Sequence, residues 1–329
     1  MNLLITGGAG FIGANFLQYI RKKRCGVKLM VVMDSLTYAA NYDNIAAEVF
    51  DHPRIKFANV DIRDSRYVDA TFQKYGITHV VHFAAESHVD NSISGPRTFV
   101  ETNVLGTLNL LEAARKYEIQ RFHHISTDEV FGHLGKGDRK FTENTHYAPR
   151  NPYSASKASS DHLVRSYYHT YGTPVTISNC SNNYGPFQNE EKFIPKIINS
   201  ILNRKKIPIY GTGQNIRDWI HVDDHCEALL KILKKGKVGE TYNIGANCEK
   251  KNLEVVYAIT DLLKVEPDDC IEFIEDRLGH DFRYAIDSTK IRKELKWKPK
   301  IAFEKGIAKT VAHYKYKYDT EFEGVSVSN

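Results

Sequence analysis

Cysteines are few in this sequence, and none falls in a pairing motif. The five cysteines among 329 residues are widely spaced, with no CxxC pair to mark a structural zinc site or a redox dithiol. No stretch approaches the ~18 apolar residues of a membrane-spanning helix. The first apolar run starts at Asn2, so we expect no signal peptide. We expect a chain with no metal site and no membrane partner, in a reducing, cytoplasmic setting.

The net charge of the chain is also small. Lys and Arg total 45 against 40 for Asp and Glu, and the resulting +5 is not gathered into long runs. Short basic stretches at 21–24 and 234–237 are typical of solvated helix ends. We therefore expect no nucleic-acid partner. With 42% hydrophobic residues, the chain can bury one large core or two unequal ones.

The N-terminal half alternates short apolar runs with longer segments of helical periodicity. Buried strands are predicted at residues 3–6, 28–33, 55–59, 79–83, 121–126 and 174–179. Helices are predicted between them at residues 13–23, 63–75, 99–117 and 154–171. This alternation predicts an α/β fold of the Rossmann type, a doubly wound parallel sheet with helices on both faces.

The first predicted strand leads into a glycine-rich turn, TGGAGFIG. Gly7 permits the tight turn, Gly10 lets backbone amides approach a pyrophosphate, and Gly13 lets the helix pack closely on the strand. Asp34 follows at the end of the second strand, where a carboxylate accepts hydrogen bonds from ribose hydroxyls and repels a 2′-phosphate. The pattern predicts NAD rather than NADP. Asp61, after the third strand, either lies near adenine or caps a helix.

Beyond residue 180 the pattern loosens. Loop-like stretches at 182–191 and 211–217 accompany predicted helices at 193–203, 223–233 and 252–263. We therefore predict an NAD-binding Rossmann domain over residues 1–180, to which segments near 215–246 return. Residues 181–329 are predicted to form mainly a smaller, mixed α/β C-terminal lobe that binds the substrate.

Two groups of reactive side chains follow predicted strands. Tyr153 and Lys157 are four residues apart, hence on one helix face, where the ammonium is expected to lower the pKa of the tyrosine and make it a base. Asp128 and Glu129 end the fifth strand, at the edge where open parallel sheets bind ligands. An elimination needs one group to remove a carbon-bound proton and another to protonate the leaving hydroxyl.

Together these segments resemble the extended short-chain dehydrogenase/reductases and, among them, the dTDP-glucose 4,6-dehydratase family. The resemblance covers almost the whole chain, and the triplet Thr127-Asp128-Glu129 is its discriminating part. The other matching segments are TGGAGFIG (6–13), HFAAESHVD (82–90), ETNVLGT (101–107), YSASKA (153–158), SNNYGP (181–186), IRDWIHVDDH (216–225), GHD (279–281) and KWKPKIAFEKGI (296–307).

The resemblance implies dehydration of dTDP-glucose to a 4-keto-6-deoxy sugar nucleotide for deoxysugar biosynthesis of the rhamnose type. Tyr153 would deprotonate the 4-hydroxyl with Lys157 tuning it and holding the ribose, while Thr127 binds the 4-oxygen. Glu129 would remove the C5 proton and Asp128 would protonate the departing 6-hydroxyl. A homodimer is also implied, with helices at 102–117 and 154–171 as its interface.

The resemblance also implies the binding residues. For NAD they are Gly7, Gly10, Phe11, Ile12, Gly13, Asp34, Ser35, Leu36, Thr37, Asp61, Ile62, Phe83, Ala84, Ala85, Thr102, Tyr153, Lys157 and Asn183. For the sugar nucleotide they are Ser87, Thr127, Asn182, Glu191, Lys192, Pro208, Tyr210, Arg217, Asn252, Arg277 and His280. Leu278 stands where the family commonly has proline, so the pose of Arg277 is open.

Other functions remain open at this point. A 4-epimerase or a nucleotide-glucuronate decarboxylase would share the chemistry up to the C4 ketone, but neither needs the two acids that follow the fifth strand. A dinucleotide-sensing regulator is a further alternative, although such proteins typically lack the tyrosine or the lysine of the YxxxK motif. The sequence does not separate thymine from uracil in the nucleotide.

Overall fold

The computed structural model of the protein describes residues 1–23, 25–276 and 278–326, with side chains to residue 320. Its strands are β1 (Asn2–Thr6), β2 (Leu29–Asp34), β3 (Ile55–Asn59), β4 (His79–His82), β5 (Arg121–Thr127), β6 (Val175–Cys180), β7 (Asn182–Tyr184), β8 (Ile207–Tyr210), β9 (Ile216–His221), β10 (Thr241–Ile244), β11 (Glu249–Lys251) and β12 (Ile271–Ile274). Seven of them form one parallel sheet in the order β3-β2-β1-β4-β5-β6-β10.

The helices account for most of the rest of the chain. They are α1 (Phe11–Lys23), α2 (Ala46–Asp51), α3 (Ser65–Tyr75), α4 (Val89–Ser94), α5 (Pro96–Phe99), α6 (Thr107–Lys116), α7 (Pro152–Tyr171), α8 (Phe193–Leu202), α9 (Val222–Lys235), α10 (Asn252–Leu263), α11 (Pro267–Cys270), α12 (Thr289–Leu295) and α13 (Phe303–Ser326). Short 3₁₀ helices lie at Tyr42–Asn44 and Asp128–Phe131, and a π-helix at Val100–Gly106. None of the helices in the described ranges is long and apolar enough to cross a membrane.

The large sheet is buried on both faces, as the runs of apolar residues predict. Leu3 and Ile5 of β1 belong to one core cluster, which includes residues of α1 and α9. Leu4, between them, belongs to a second cluster that includes residues of α3, α6 and α7. Because successive side chains of a strand point to opposite faces, this division places helices on each side. The predicted doubly wound Rossmann fold is confirmed.

Two smaller sheets belong to the C-terminal part of the chain. In one, β9 pairs in parallel with β7 and antiparallel with β11; in the other, β8 and β12 run parallel. Their core contains Trp219, Ile209 and Ile259. The strand β10 returns to the large sheet beside β6. The division of the chain at residue 180 stays a prediction.

The structure differs from the predicted elements at 99–117, 182–191 and 211–217. The helix predicted at 99–117 is interrupted by the π-helix, and Asn103 within it bonds to the backbone N–H and carbonyl of Glu86, at 2.8 and 3.0 Å. Such an extra residue in a helical turn is common beside functional sites. The stretch predicted as a loop at 182–191 contains the short strand β7, and the loop at 211–217 already enters β9.

Candidate active site

A cavity of about 320 Å³ opens at the carboxyl ends of β1, β2, β4, β5 and β6. This edge is where open parallel sheets bind ligands. Its lining includes all the predicted NAD residues except Leu36, and Ser87, Thr127, Asn182 and Lys192 from the predicted substrate set. All five predicted catalytic residues line it as well. The structure thus brings the glycine-rich turn and both acid–base groups to one cleft.

The glycine-rich turn packs so tightly that two of its glycines cannot be replaced by a residue with a side chain. Gly7 has a φ of +65°, and a Cβ there would lie 2.6 Å from the backbone nitrogen of Ala84. A Cβ on Gly13 would overlap the Gly7 carbonyl oxygen, since α1 packs directly on the turn. The turn therefore presents backbone amides and the positive N-terminus of α1 to the cavity, as a pyrophosphate site requires.

Asp34 joins this turn to the end of β2. One carboxylate oxygen accepts the N–H of Ala9 at 3.0 Å and the other accepts the N–H of Leu36 at 2.9 Å. Burial raises the pKa of Asp34, against these two bonds. Leu36 does not line the cavity, and its backbone serves instead to hold Asp34. The carboxylate is thereby fixed at the cavity edge, where a ribose hydroxyl can reach it.

Asp61 has a partner that the sequence analysis did not include. The guanidinium of Arg63 donates to both carboxylate oxygens, and the hydrogen bond from Arg63 holds the pKa of Asp61 below its ordinary range. Asp61 also accepts the Arg63 N–H at 2.8 Å. Arg63 lines the cavity too. A planar guanidinium beside the predicted adenine position can stack on a base.

Asp128 and Glu129, the acid pair, lie on a turn that begins where β5 ends. Thr127 caps the 3₁₀ helix Asp128–Phe131 by accepting the Glu129 N–H at 3.2 Å, and the amide of Asn179 holds its carbonyl at 3.0 Å. The Asp128 side chain is 2% exposed, and its Oδ2 atom has no hydrogen-bond partner in the described part of the chain. Burial first, and then the charge of Glu129, raise the pKa of Asp128 well above its ordinary value. This environment favours the protonated form of Asp128 over the carboxylate.

Tyr153 and Lys157 lie on the first two turns of α7. Asn151 and Ser154 form a capping box at the start of this helix, and Pro152 occupies its first position. The Tyr153 hydroxyl is within hydrogen-bonding reach of Thr127, and its ring packs edge-on against Phe99. The capped helix start thus places the tyrosine beside the end of β5.

The predicted tuning of Tyr153 by Lys157 is not what the structure shows. Burial, and then the charge of Glu129, raise the pKa of Tyr153 well above its ordinary value. The Lys157 ammonium is turned to β5 instead, where it donates to the Ile125 carbonyl at 2.8 Å. The sequence places the lysine one turn from the tyrosine, but it does not show this competing acceptor. The prediction of a lowered tyrosine pKa is wrong for this arrangement.

Only part of the predicted sugar-nucleotide set lines the cavity. Lys192 lines it and donates to the Ser87 carbonyl at 2.8 Å. Tyr210 donates to Asp90 at 3.3 Å, and its ring centroid is 6.1 Å from that of His280. The cavity lining does not include Glu191, Pro208, Tyr210, Arg217, Asn252 or His280, and Arg277 lies outside the described residues.

Arg217 is buried and engaged by the protein itself. Its guanidinium donates to the carbonyl oxygens of Ile216, Asp281 and Phe282 and lies 4.4 Å over the ring of Tyr284. The arginine thus ties β9 to the GHD segment. Binding of the substrate diphosphate by Arg217 stays a prediction, as do the substrate-binding roles of the other predicted residues that do not line the cavity.

Sequence reasoning missed part of the cavity wall. The additional lining residues are Met33, Ala39, Ala40, Val60, Arg63, Glu86, Ile125, Ser126, Cys180, Ser181, Gln188 and Asn189. Ile125, Ser126, Cys180 and Ser181 flank predicted strand ends, so strand alternation could have found them. Gln188 and Asn189 lie on a loop, where no periodicity points to them.

Among the described residues, no group of three or more His, Cys, Asp or Glu side chains is placed to hold a metal ion. The cleft offers a dinucleotide turn, a buried acid, a second carboxylate and a tyrosine. Fold and cleft together define a Rossmann-type enzyme of the short-chain dehydrogenase/reductase class, equipped for proton transfer beside a nucleotide.

Comparison with known proteins narrows this class. The family model described as GDP-mannose 4,6 dehydratase matches residues 4–310. A dTDP-glucose 4,6-dehydratase of Neisseria meningitidis is 50% identical, over 95% of this chain and 92% of the relative. The crystal structure of DesIV, a dTDP-glucose 4,6-dehydratase from Streptomyces venezuelae with NAD bound, has a TM-score of 0.93 at 42% identity, covering 97% of this chain and 98% of that one.

A second solved structure agrees with the first. The dTDP-glucose 4,6-dehydratase of Bacillus anthracis in complex with NAD has a TM-score of 0.89 at 44% identity, covering 97% of this chain and 98% of that one. The chain belongs to the nucleotide-sugar 4,6-dehydratase family that the GDP-mannose model describes, and its near relatives there are dTDP-glucose 4,6-dehydratases.

Proposed function

We propose that this chain is an NAD-dependent dTDP-glucose 4,6-dehydratase, which converts dTDP-glucose to dTDP-4-keto-6-deoxyglucose. The observation that carries the proposal is the buried Asp128, whose pKa burial raises well above its ordinary value, next to Glu129 in the lining of a dinucleotide site. An oxidation at C4 alone needs one base. The second and third proton-transfer groups are needed only when a C–H and a C–O bond are also broken.

The cleft fits NAD by its shape and by its polar groups. A side chain at Gly7 or Gly13 would clash with neighbouring backbone, so only glycine allows the backbone amides of this turn to approach a phosphate. The Asp34 carboxylate disfavours a 2′-phosphate. Ser181 and Asn182 line the same cleft, and each has a buried side-chain oxygen with no hydrogen-bond partner among the described residues. When bound, NAD would take hydride from C4 and return it to C6, and its nicotinamide charge would favour the Tyr153 phenolate.

The residues around the reacting carbons divide the proton transfers. Tyr153 removes the proton of the 4-hydroxyl, and Thr127, which is within hydrogen-bonding reach of the Tyr153 hydroxyl, binds the 4-oxygen. Glu129 removes the proton at C5, which the neighbouring ketone acidifies, and a proton is restored at C5 once C6 has received the hydride. Asp128 donates its proton to the leaving 6-hydroxyl, so one water departs and the carboxylate is left charged. Burial raises the pKa of Asp128, which suits it to donate a proton in this step.

The substrate enters from the side of the C-terminal strands. Lys192 and Ser87 lie on the cavity wall next to each other, with Glu191, Tyr210 and His280 beyond them. Cationic and hydroxyl groups are the donors that a nucleoside diphosphate needs. We assign this edge to the diphosphate and sugar, and the strand β8, which carries Pro208 and Tyr210, to the base.

The direct test is turnover. The purified chain is incubated with dTDP-glucose, with and without added NAD, and the product is followed by its alkali-induced absorbance and by mass. A product lighter than the substrate by one water supports the proposal. Inversion at C4 or loss of carbon dioxide, with NAD bound, would instead identify an epimerase or a decarboxylase.

The same resemblance supports a homodimer in a reducing, cytoplasmic setting. The large hydrophobic residues Val100, Leu105 and Tyr171 are 49, 49 and 53% exposed, on or beside the two helical segments that the family pairs. All five cysteines are free. Light scattering at working concentration tests the dimer, and a monomeric mass contradicts it.

A further inference from the structure

The face of α7 that carries Tyr153 and Lys157 continues with two more polar side chains. Asp161 and Arg165 follow at the same spacing of four residues, one helical turn each. Lys157 is 4% exposed and Asp161 is fully buried. The helix therefore sets a base, a cation, an anion and a second cation in one line, from the cavity toward the protein surface.

Asp161 fastens α7 to the strand that carries the acid pair. Its Oδ2 atom accepts the hydroxyl of Ser126 and the hydroxyl of Tyr147, each at 2.8 Å. Its Oδ1 atom lies 3.2 Å from Nε2 of His124. Ser126 directly precedes Thr127, so this one carboxylate joins the YxxxK helix to the end of β5.

Lys157 depends on the same cluster. Its ammonium donates to the Ile125 carbonyl at 2.8 Å and lies 3.4 Å from Nε2 of His124. Burial lowers the pKa of Lys157, and the charge of Asp161 opposes that shift. A buried ammonium without a nearby anion is costly, because the protein interior replaces little of its hydration.

Asp161 is suited to supply that negative charge. Burial raises its pKa, but the hydrogen bond with His124 and the cations Lys157 and Arg165 hold the net value below the ordinary one. Arg165 reaches the cluster by donating to the Tyr147 hydroxyl at 2.7 Å.

The other titratable groups facing Lys157 are neutral near pH 7. Burial lowers the pKa of His124 on β5 to about 4 and that of His82 on β4 well below its ordinary value. Burial raises the pKa of the Cys180 thiol on β6 to about 12. The carboxylate on α7 is therefore the anion that balances the lysine within this part of the described chain.

We infer that Asp161 is the positioning residue of Lys157, and that it keeps the ammonium charged and fixed against β5 where it meets the bound nucleotide. The inference rests on the proposed function and on the ribose-holding role that the family resemblance implies for Lys157. Asp161 touches neither cofactor nor substrate, and it acts through the lysine.

The test is a double-mutant cycle read out as NAD affinity. The variants are Asp161→Asn, Lys157→Met and the double variant, with Ser159→Ala, on the exposed side of α7, as the matched control. Asp161→Asn is expected to weaken NAD binding by roughly tenfold, typical of a coupled charge pair. In the Lys157→Met background the same change should alter affinity by less than about twofold. Ser159→Ala should bind like the wild type.

The pH dependence of NAD affinity separates loss of the charge from a packing defect, because a packing defect would not change it. Without the carboxylate the pKa of Lys157 falls further, so the affinity of Asp161→Asn for NAD should decline with rising pH earlier than that of the wild type. Ser126→Ala, which removes one donor to Asp161 and little volume, is the second variant should Asp161→Asn not fold. It should show a smaller loss of NAD affinity, also absent in the Lys157→Met background.

Two results would overturn the inference: unchanged NAD affinity in both Asp161→Asn and Ser126→Ala, or a loss that persists undiminished without Lys157. The cycle uses binding alone. A wild-type chain that binds NAD but releases no 4-keto-6-deoxy product would therefore refute the proposed function, while the cycle would still decide the role of Asp161.

Discussion

Replacing Asp128 by asparagine isolates the proton that the proposed elimination consumes. The side chain is 2% exposed and keeps nearly the same shape in Asp128→Asn. Its Oδ1 atom receives only a long hydrogen bond from Thr127, at 3.5 Å, while Oδ2 has no partner among the described residues. The substitution therefore removes an acidic proton and breaks no strong interaction.

The expected loss follows from the surroundings of that proton. General acids contribute about 10²- to 10⁴-fold, which corresponds to roughly 3 to 5 kcal/mol in the barrier. The effect should fall in the upper part of this range, because the buried Oδ2 atom leaves no direct path for a solvent proton. The C4 oxidation precedes this step, so NADH should accumulate on the variant.

The raised pKa of Asp128 also predicts the direction in which kcat and stability change with pH. The pKa of Asp128 is raised by burial, so the protonated form is favoured in the folded chain, and kcat should fall as pH rises through that raised pKa. The same linkage makes the folded wild type lose stability over this range, since the folded state binds more protons than the unfolded state there. Asp128→Asn should lack both trends.

The measurement combines product formation with NADH absorbance in single turnovers. Glu143→Gln is the matched control, because burial also raises the pKa of Glu143 but its side chain does not line the cavity. It should turn over like the wild type. If Asp128→Asn keeps kcat within tenfold of the wild type and retains its alkaline limb, another group supplies the proton and the assignment is refuted.

Three further changes test the neighbouring residues. Glu129→Gln should stop elimination but allow slow C4 oxidation, seen as NADH trapped on the enzyme; normal product release contradicts its role as the C5 base. Tyr153→Phe should block the earlier oxidation, so a wild-type NADH burst speaks against it. Gly13→Ala should abolish NAD binding and destabilise the fold by about 1 to 3 kcal/mol, because its Cβ meets the Gly7 carbonyl. Gly95→Ala, with space for a Cβ, is its control in calorimetry, and equal NAD affinity in the Gly13 variant would contradict the clash.

Much of this site could be predicted, because residues at the ends of successive strands in βα units come together at one edge of the sheet. Gly7 follows β1, Gly13 lies in the helix after it and Asp34 ends β2, and the carboxyl ends of such parallel strands meet at one edge of the sheet. The same rule brings Thr127 and Tyr153 together, from the end of β5 and the start of α7.

The rest depends on tertiary packing that no local pattern encodes. Gln188 and Asn189 reach the cavity on a loop, and Arg63 is there because it clamps Asp61. The π-helix at 100–106 has the composition of an ordinary helix, and its extra residue is stabilised by contacts of Asn103 with the distant Glu86 and Ser156.

Protonation state is the property that sequence motifs specify least, and two buried aspartates illustrate why. Asp161 receives two hydroxyl donors and has two cationic neighbours on its own helix, so it remains a carboxylate. Asp128 is buried beside the negative Glu129 and receives a long hydrogen bond from Thr127, so its pKa is raised and the protonated form is favoured. The number of donors and the sign of the nearest charge decide between an anion that holds a lysine and an acid that a leaving group can use. Asp161 accepts a hydrogen bond from Ser126 and Asp128 accepts one from Thr127, the last two residues of β5, so a single strand end supports both functions.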